Sequence, residues 1–161
     1  MLAAVLVLAA ASCATLQNVV QPPRFSVASG RQAELRLTGP TARSPLGGAT
    51  IRIWANVQNP NALGLTLAAM RGNLFLDDTR AADVDFPLGL PLLANQDTVI
   101  PLDITIGFND LPGLANVASR WLTRNSIGYR LDGTVSVDAG LLGQPTFGPN
   151  TWMRGDLVIR R

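Results

Sequence analysis

Apolar and polar residues alternate along three long stretches of the chain, residues 49–57, 100–108 and 129–137. A period of two places the apolar side chains on one face of a β-strand, so each stretch predicts a strand with one buried and one wet face. The last predicted strand, near residues 151–160, is less regular, because Trp152 falls out of phase with Met153 and Leu157. We therefore expect both faces of that strand to be partly covered.

Residues typical of turns separate these stretches. They are Gly47-Gly48, Asn59-Pro60-Asn61, Asp77-Asp78, Gly140 and Gly148-Pro149-Asn150. Glycine, proline, asparagine and aspartate mark turns because they adopt or fix the backbone angles that turns require. Several strands at this spacing predict an all-β fold, an antiparallel β-sandwich of the immunoglobulin or fibronectin-III type.

One segment has a helical rather than a strand period. Its apolar residues are Leu114, Val117, Ala118, Trp121 and Leu122. This spacing predicts one short amphipathic helix near residues 111–123, with Pro112 in its first turn. Because apolar stripes of this kind are usually buried, we expect the helix to cover one end of the sandwich.

The first residues have the composition of a secretion signal. Residues 1–11 are apolar and too few to span a bilayer, and small residues precede Cys13. This arrangement resembles a bacterial lipobox, which implies a signal peptide at 1–12 and lipidation of Cys13. We interpret residues 13–31 as the lipidated N-terminus and a tether, and the period of two that begins near Gln32 predicts the β-sandwich domain at 32–161. The expected location is the cell envelope, with a lipid anchor on the outer membrane or periplasmic face, since Ala14 rather than Asp follows the cysteine. Conventional cleavage after Ala9-Ala10-Ala11 is the alternative, and it would leave Cys13 as a free thiol.

The amino-acid composition argues against several kinds of functional site. The chain has no histidine, one cysteine and a net charge of +2. These values argue against a disulfide, a zinc finger, a histidine base and a nucleic-acid partner. Asp83 and Asp85 point to one strand face and are candidate Ca²⁺ ligands. Two carboxylates are far fewer ligands than a calcium loop supplies, so we favour the interpretation that both side chains are solvated surface acids. We expect no catalytic residues, no cofactor and no metal site, and hence no enzyme.

The stretch Ile53–Asn61, a strand that ends in Asn-Pro-Asn, resembles the group-2 late-embryogenesis-abundant family, also called the water-stress-and-hypersensitive-response (WHy) domain. Further matches follow in order at residues 63–67, 71–76, 87–92 and 99–104, the third of these resembling an apolar loop of the family. The resemblance covers residues 24–161. It implies a folded protein linked to desiccation, osmotic or temperature stress.

The candidate site residues fall into two groups. Asn59, Pro60 and Asn61 form the family motif, and we favour a structural turn over ligand binding, because Asn beside Pro commonly forms turns. The candidate surface contacts are Trp54, Arg52, Arg71 and Arg130, since all four are expected on wet strand faces. The predicted partners are a membrane, through the lipid on Cys13, and client proteins or lipid headgroups that the domain shields. An envelope adaptor that docks a partner protein through a sandwich edge or loops is the alternative function.

Overall fold

The computed structural model describes residues 20–42, 45–108 and 123–160, and the chain forms eight β-strands within them. The strands are β1 Arg24–Val27, β2 Ala33–Thr38, β3 Gly48–Gln58, β4 Leu65–Leu76, β5 Thr79–Leu92, β6 Asp97–Gly107, β7 Ser126–Asp138 and β8 Thr146–Arg160. The prediction of a mostly β fold is therefore confirmed. The stretch expected as an apolar loop at residues 87–92 is the second part of β5.

All eight strands belong to one open, mixed sheet. Strand β3 pairs with β6 along one edge and with β1 and then β2 along the other, and the sheet continues through β8, β7, β4 and β5. The sandwich predicted from the sequence has two sheets in which all neighbouring strands are antiparallel. The structure differs at β2 and β8, which pair in parallel and join β1, β3 and β6 to β7, β4 and β5 in one sheet. The alternation of residues along a strand reveals its buried face but not the direction of its partner, which explains the error.

The alternating pattern itself is confirmed. In β3, Ile51, Ile53 and Val57 are fully buried, whereas Arg52 between them is exposed. One core cluster contains these residues together with Leu74 of β4, although several strands separate β3 from β4 in the sheet. The sheet must therefore curve around a single core. Consistent with this curvature, residues 80–83 of β5 and 105–107 of β6 line one cavity, so the two edge strands approach each other.

The irregular last strand is covered on both sides, as expected. Met153 and Leu157 are buried in the core, and Trp152 on the other face is half-buried. The Trp152 ring packs edge-on against Phe25 of β1, with ring centroids 5.5 Å apart, and its indole N–H donates to the Gly133 carbonyl at 2.7 Å. The out-of-phase tryptophan thus joins β8 to the start of the domain.

Two local features hold the β4–β7 part of the sheet. Asp77 and Asp78 form the two-residue turn between β4 and β5, with φ angles of 45° and 62°, as a type I′ hairpin requires. Gly72 of β4 faces Gly133 of β7, and a Cβ atom on Gly72 would lie 1.9 Å from the Asp132 carbonyl oxygen. Only glycine fits where the two backbones approach this closely.

The residues just before β2 form ordered structure that the sequence pattern did not indicate. Strand β1 lies inside residues 13–31, the stretch interpreted as a tether, and Val20 before it is 2% exposed. The signal peptide at 1–12, Cys13 and nearly all of the predicted helix at 111–123 lie outside the described residues. In the described part of the chain the helical element is a 3₁₀ turn at Gly140–Leu142. That part contains no helix long and apolar enough to cross a membrane.

Candidate functional site

The Asn-Pro-Asn motif forms a buried turn between β3 and β4. Asn59 is completely buried, and its side-chain Nδ2 donates to the carbonyl oxygens of Leu63 at 2.8 Å, Leu92 at 3.2 Å and Leu93 at 3.2 Å. Its Oδ1 accepts from both the backbone N–H and the side-chain Nδ2 of Asn61, at 3.0 Å and 2.9 Å. One buried amide therefore holds together the turn, the end of β5 and the loop that follows it.

Asn61 carries the network to the N-terminal segment. Its Oδ1 accepts from the Gln21 backbone N–H at 2.8 Å, and its Nδ2 donates to the Gln21 carbonyl at 2.9 Å. Asn59 and Asn61 are the buried polar residues of the described chain, and their amides use both their donors and their acceptors within the protein. Buried polar groups are stable only when they are paired, and this arrangement favours the structural role for the motif.

Arg52 is held by a carboxylate on the neighbouring strand. Arg52 of β3 faces Asp103 of β6, and its Nε and one terminal nitrogen donate to the two carboxylate oxygens at 2.6 Å and 2.7 Å. This bidentate hydrogen bond raises the pKa of Arg52 and lowers the pKa of Asp103. A headgroup phosphate or client carboxylate would have to displace Asp103 from Arg52.

Arg71 and Arg130 are also paired with carboxylates. Arg71 of β4 donates to Asp85 on the facing position of β5 at 3.1 Å. Arg130 of β7 donates to Asp132 at 2.9 Å and to Asp78 at 2.8 Å, and hydrogen bonding to Asp132 is the largest cause of its raised pKa. The Arg130 guanidinium also lies 4.6 Å from the centre of the Phe75 ring.

The three arginines do not form one site. Arg52 lies on the outer face of β3, whereas Arg71 and Arg130 lie on the outer faces of β4 and β7. Because the sheet curves around a common core, these outer faces point away from each other. Alternation alone places all three on wet faces, but only the order of the strands reveals that they belong to opposite surfaces.

Trp54 has a neighbour that the sequence did not suggest. The Trp54 ring is half-buried, and the Arg31 guanidinium stacks over it at 4.1 Å, while that of Arg52 lies 5.9 Å away. A shallow depression beside the ring is lined by Trp54, Arg31, Glu34 and Arg160. Arg31 lies in the segment interpreted as a tether, and no sequence pattern marked it.

The paired acids are engaged by arginine. Asp83 bonds to Arg80, and Asp85 bonds to Arg71, so each carboxylate already has a cationic partner. The described residues contain no cluster of three or more side chains suited to a metal ion. These two acids therefore balance the charges of Arg71 and Arg80 on the surface of β4 and β5, and each faces its own arginine.

Tyr129 differs from the other buried polar groups. Among the buried side-chain nitrogen and oxygen atoms of the described residues, its hydroxyl oxygen is the one without a hydrogen-bond partner. Burial, with a contribution from the charge of Asp156, raises the pKa of Tyr129 to about 12. The Tyr129 ring packs over Gly155 on β8, where a Cβ atom would lie 3.0 Å from a ring carbon.

The geometry defines a small all-β domain with one buried amide turn and a surface on which cross-strand ion pairs neutralise many of the charges. The family model described as "Late embryogenesis abundant protein" matches residues 54–151, and this chain belongs to that family. The predicted resemblance to the late-embryogenesis-abundant family is thereby confirmed. The matched range begins at Trp54, five residues before the buried Asn-Pro-Asn turn.

Solved structures support the same fold. The solution structure of an Arabidopsis thaliana protein superimposes with a TM-score of 0.61 and 16% identity, covering 88% of this chain and 85% of that chain. The solution structure of a protein described as late embryogenesis abundant (LEA) gives a TM-score of 0.50 and 20% identity, covering 89% of this chain and 74% of that one. No curated protein matches this chain. At these identities the structures support the fold and leave function to be argued from the chain itself.

Proposed function

We propose that this protein is a stress-protective lipoprotein of the cell envelope, anchored through Cys13, whose domain shields client proteins or the membrane surface as water is lost. The observation that carries the proposal is the family match over residues 54–151, because membership of the late-embryogenesis-abundant family suggests a stress-related function. The small residues that precede Cys13 support the anchor. The WHy character of the domain belongs to the same proposal and rests on the Asn-Pro-Asn turn and the strands that follow it.

The ion pairs suit a fold that must survive drying. Seven arginines in the described residues bond to carboxylates of the same chain: Arg36, Arg52, Arg71, Arg80, Arg124, Arg130 and Arg160. In water such exposed pairs contribute little to stability, because the solvent screens them. Coulomb attraction grows as the surrounding dielectric constant falls. The pairs are therefore strengthened when water leaves the surface, which is when a protective protein must remain folded.

The same surface offers exchangeable contacts. The Arg52 side chain is 53% exposed, and the Arg71 side chain is 70% exposed, so a second carboxylate or a phosphate can approach either guanidinium. Exchange of an internal carboxylate for an external one conserves the number of charge-assisted hydrogen bonds. In this mechanism the polar faces replace part of the hydration shell of a client while the domain keeps its own fold.

A drying assay tests the proposal. The lipidated full chain would be reconstituted in phosphatidylcholine vesicles, dried with an unrelated labile enzyme and rehydrated, and the recovered enzyme activity would be measured. The control is the same vesicles carrying an equal mass of an unrelated lipidated, folded protein. Recovery clearly above the control supports protection, and recovery equal to the control contradicts it.

A matched pair of variants tests the contribution of arginine. The triple variant Arg52→Gln, Arg71→Gln, Arg130→Gln removes the proposed contacts, whereas the swap Arg52→Asp with Asp103→Arg keeps an ion pair between β3 and β6. We expect the triple variant to protect less and the swap to protect as well as the native chain. Equal protection by all three chains would refute the role of the arginines. Recovery at control level together with a stable partner on pull-down from membranes would favour the adaptor.

A further inference from the structure

Three loops without a single charged residue meet at one end of the fold. They are residues 59–64, 93–96 and 139–145, which we call the neutral end. The strand register places them together: Gln58 faces Asp97, Leu65 faces Leu92, and Thr66 faces Asp138. Backbone bonds join the first two loops, since the Asn59 N–H donates to the Gln96 carbonyl and the Asn95 N–H donates to the Asn61 carbonyl.

Two of these loops expose a leucine. Leu93 is 61% exposed and Leu141 is fully exposed, whereas Leu142 beside it packs partly against the core. The loop that carries Leu141 has a defined shape, because the Ala139 N–H donates to the Gly143 carbonyl at 2.9 Å and the Gly140 N–H donates to the Asp138 carboxylate at 2.8 Å. The fold thus holds an apolar side chain out on a loop that has no charged residue of its own, with the Asp138 carboxylate at its base.

The opposite end of the sheet carries charged residues. The turn between β4 and β5 consists of Asp77 and Asp78, and these acids bond to Arg124 and Arg130. Leu46, on the loop between β2 and β3, is 59% exposed at that end and resembles Leu93 in exposure. Leu46 therefore provides a reference position of similar exposure at the end of the sheet that carries the Asp77-Asp78 turn.

The N-terminal segment enters the domain at the neutral end. Val20 is buried there, and Asn61 of the turn holds Gln21 through two hydrogen bonds. Cys13 lies seven residues before Val20, a length of chain that spans at most about 25 Å. Residues 13–23 contain no charged side chain. A lipid on Cys13 would therefore bring the neutral end to the bilayer surface, and not the opposite end that carries the Asp77-Asp78 turn.

We propose that the neutral end is a docking surface for a phospholipid bilayer, with Leu93 and Leu141 inserted into its interface. The inference rests on the proposed lipidation of Cys13. An interface favours apolar side chains and disfavours loops that carry fixed charges into it. The three loops expose two leucines and contain no charged residue, while Arg24, Asp97 and Asp138 lie at the strand ends that adjoin them. Docking through uncharged loops needs no anionic lipid, which separates this surface from one built on arginine and phosphate.

A fluorescent probe at each leucine tests the inference. Leu93→Cys, Leu141→Cys and Leu46→Cys would each be introduced into the lipidated full chain, labelled with an environment-sensitive fluorophore and reconstituted in phosphatidylcholine vesicles. Flotation of the vesicles reports anchoring, and emission wavelength with quenching by a lipid-borne quencher reports depth. We expect a blue shift and strong quenching for the probes at positions 93 and 141, and neither for the probe at position 46.

Each alternative outcome has one meaning. Chains that float while all three probes stay in water would overturn the docking surface and leave the anchor intact. Chains that do not float would overturn both the proposed lipidation and the inference. Insertion at positions 93 and 141 that appears only when phosphatidylglycerol is added would contradict docking through uncharged loops without anionic lipid. A blue shift at positions 93 and 141 without vesicles would overturn the bilayer as the occupant and favour a second copy of this chain.

Discussion

Replacing Asn59 by alanine is expected to cost a large part of the stability of this fold. The Asn59 side chain makes five hydrogen bonds in a fully buried position, three through its amide nitrogen and two through its oxygen. Alanine leaves the Asn61 N–H and the Leu63 carbonyl without these partners. Each buried group left unpaired costs about 1–3 kcal/mol, so we expect a loss of about 3–5 kcal/mol from the free energy of unfolding. Typical domains have only about 5–15 kcal/mol in total.

Urea unfolding measures this loss. The native chain and the Asn59→Ala variant would be compared in a Cys13→Ser background, which removes the proposed lipid. With a slope of about 2 kcal/mol per molar urea, the midpoint should fall by about 2 M while the slope stays unchanged. The control is Asn56→Ala on the outer face of β3, the strand before the turn, where we expect a change of about 0.5 kcal/mol or less. If Asn59→Ala shifted the midpoint no further than Asn56→Ala, the reasoning about the buried amide would be refuted.

Three further outcomes follow from the packing and the charges. Gly72→Ala should destabilise the chain by about 3 kcal/mol or more in the same urea assay, because the added Cβ atom would overlap the facing backbone of β7. The control Gly39→Ala should be near neutral, because a Cβ atom at Gly39 would have no other atom within 4 Å. Tyr129→Phe should raise the free energy of unfolding by about 1 kcal/mol by removing an unpaired buried hydroxyl. Since the pKa of Tyr129 rises from 10.0 to about 12 on folding, native stability should fall between those pH values, and the variant should lose this dependence. Asp103→Asn should change the midpoint of urea unfolding little at pH 7. Because Arg52 lowers the pKa of Asp103 in the folded chain, the small difference in stability should vanish as the solution becomes acidic. A large loss of stability at pH 7, or a loss that grows in acid, would contradict this expectation.

The amino-acid sequence predicted the strands because their signal is local. The buried positions of β3, β6 and β7 follow the period of two, and the Asp77-Asp78 and Asn59-Pro60-Asn61 turns fall where their residues indicate. The resemblance carried by the Asn-Pro-Asn stretch led to the family that the match over residues 54–151 identifies. Each of these inferences depends on residues that are close neighbours along the chain.

The sequence did not reveal which residues contact each other on the surface of the fold. Arg52, Arg71 and Arg130 occupy wet faces as predicted, but the sequence did not show that Asp103, Asp85 and Asp132 hold them. Two of these carboxylates lie on neighbouring strands, so the pairs exist only once the register is set. Arg31 over Trp54 is a stronger example, because the two residues are brought together by the pairing of β1 with β3.

The sequence by itself determined which residues face the core, where the main turns fall and which family the chain resembles, because side-chain period and turn chemistry act over a few residues. Only the tertiary structure decided that β2 and β8 run parallel, that the arginines belong to opposite faces, and that three uncharged loops gather beside the N-terminal segment. These features join residues far apart in the sequence. Their arrangement is set by how one curved sheet closes around a common core, which no local pattern encodes.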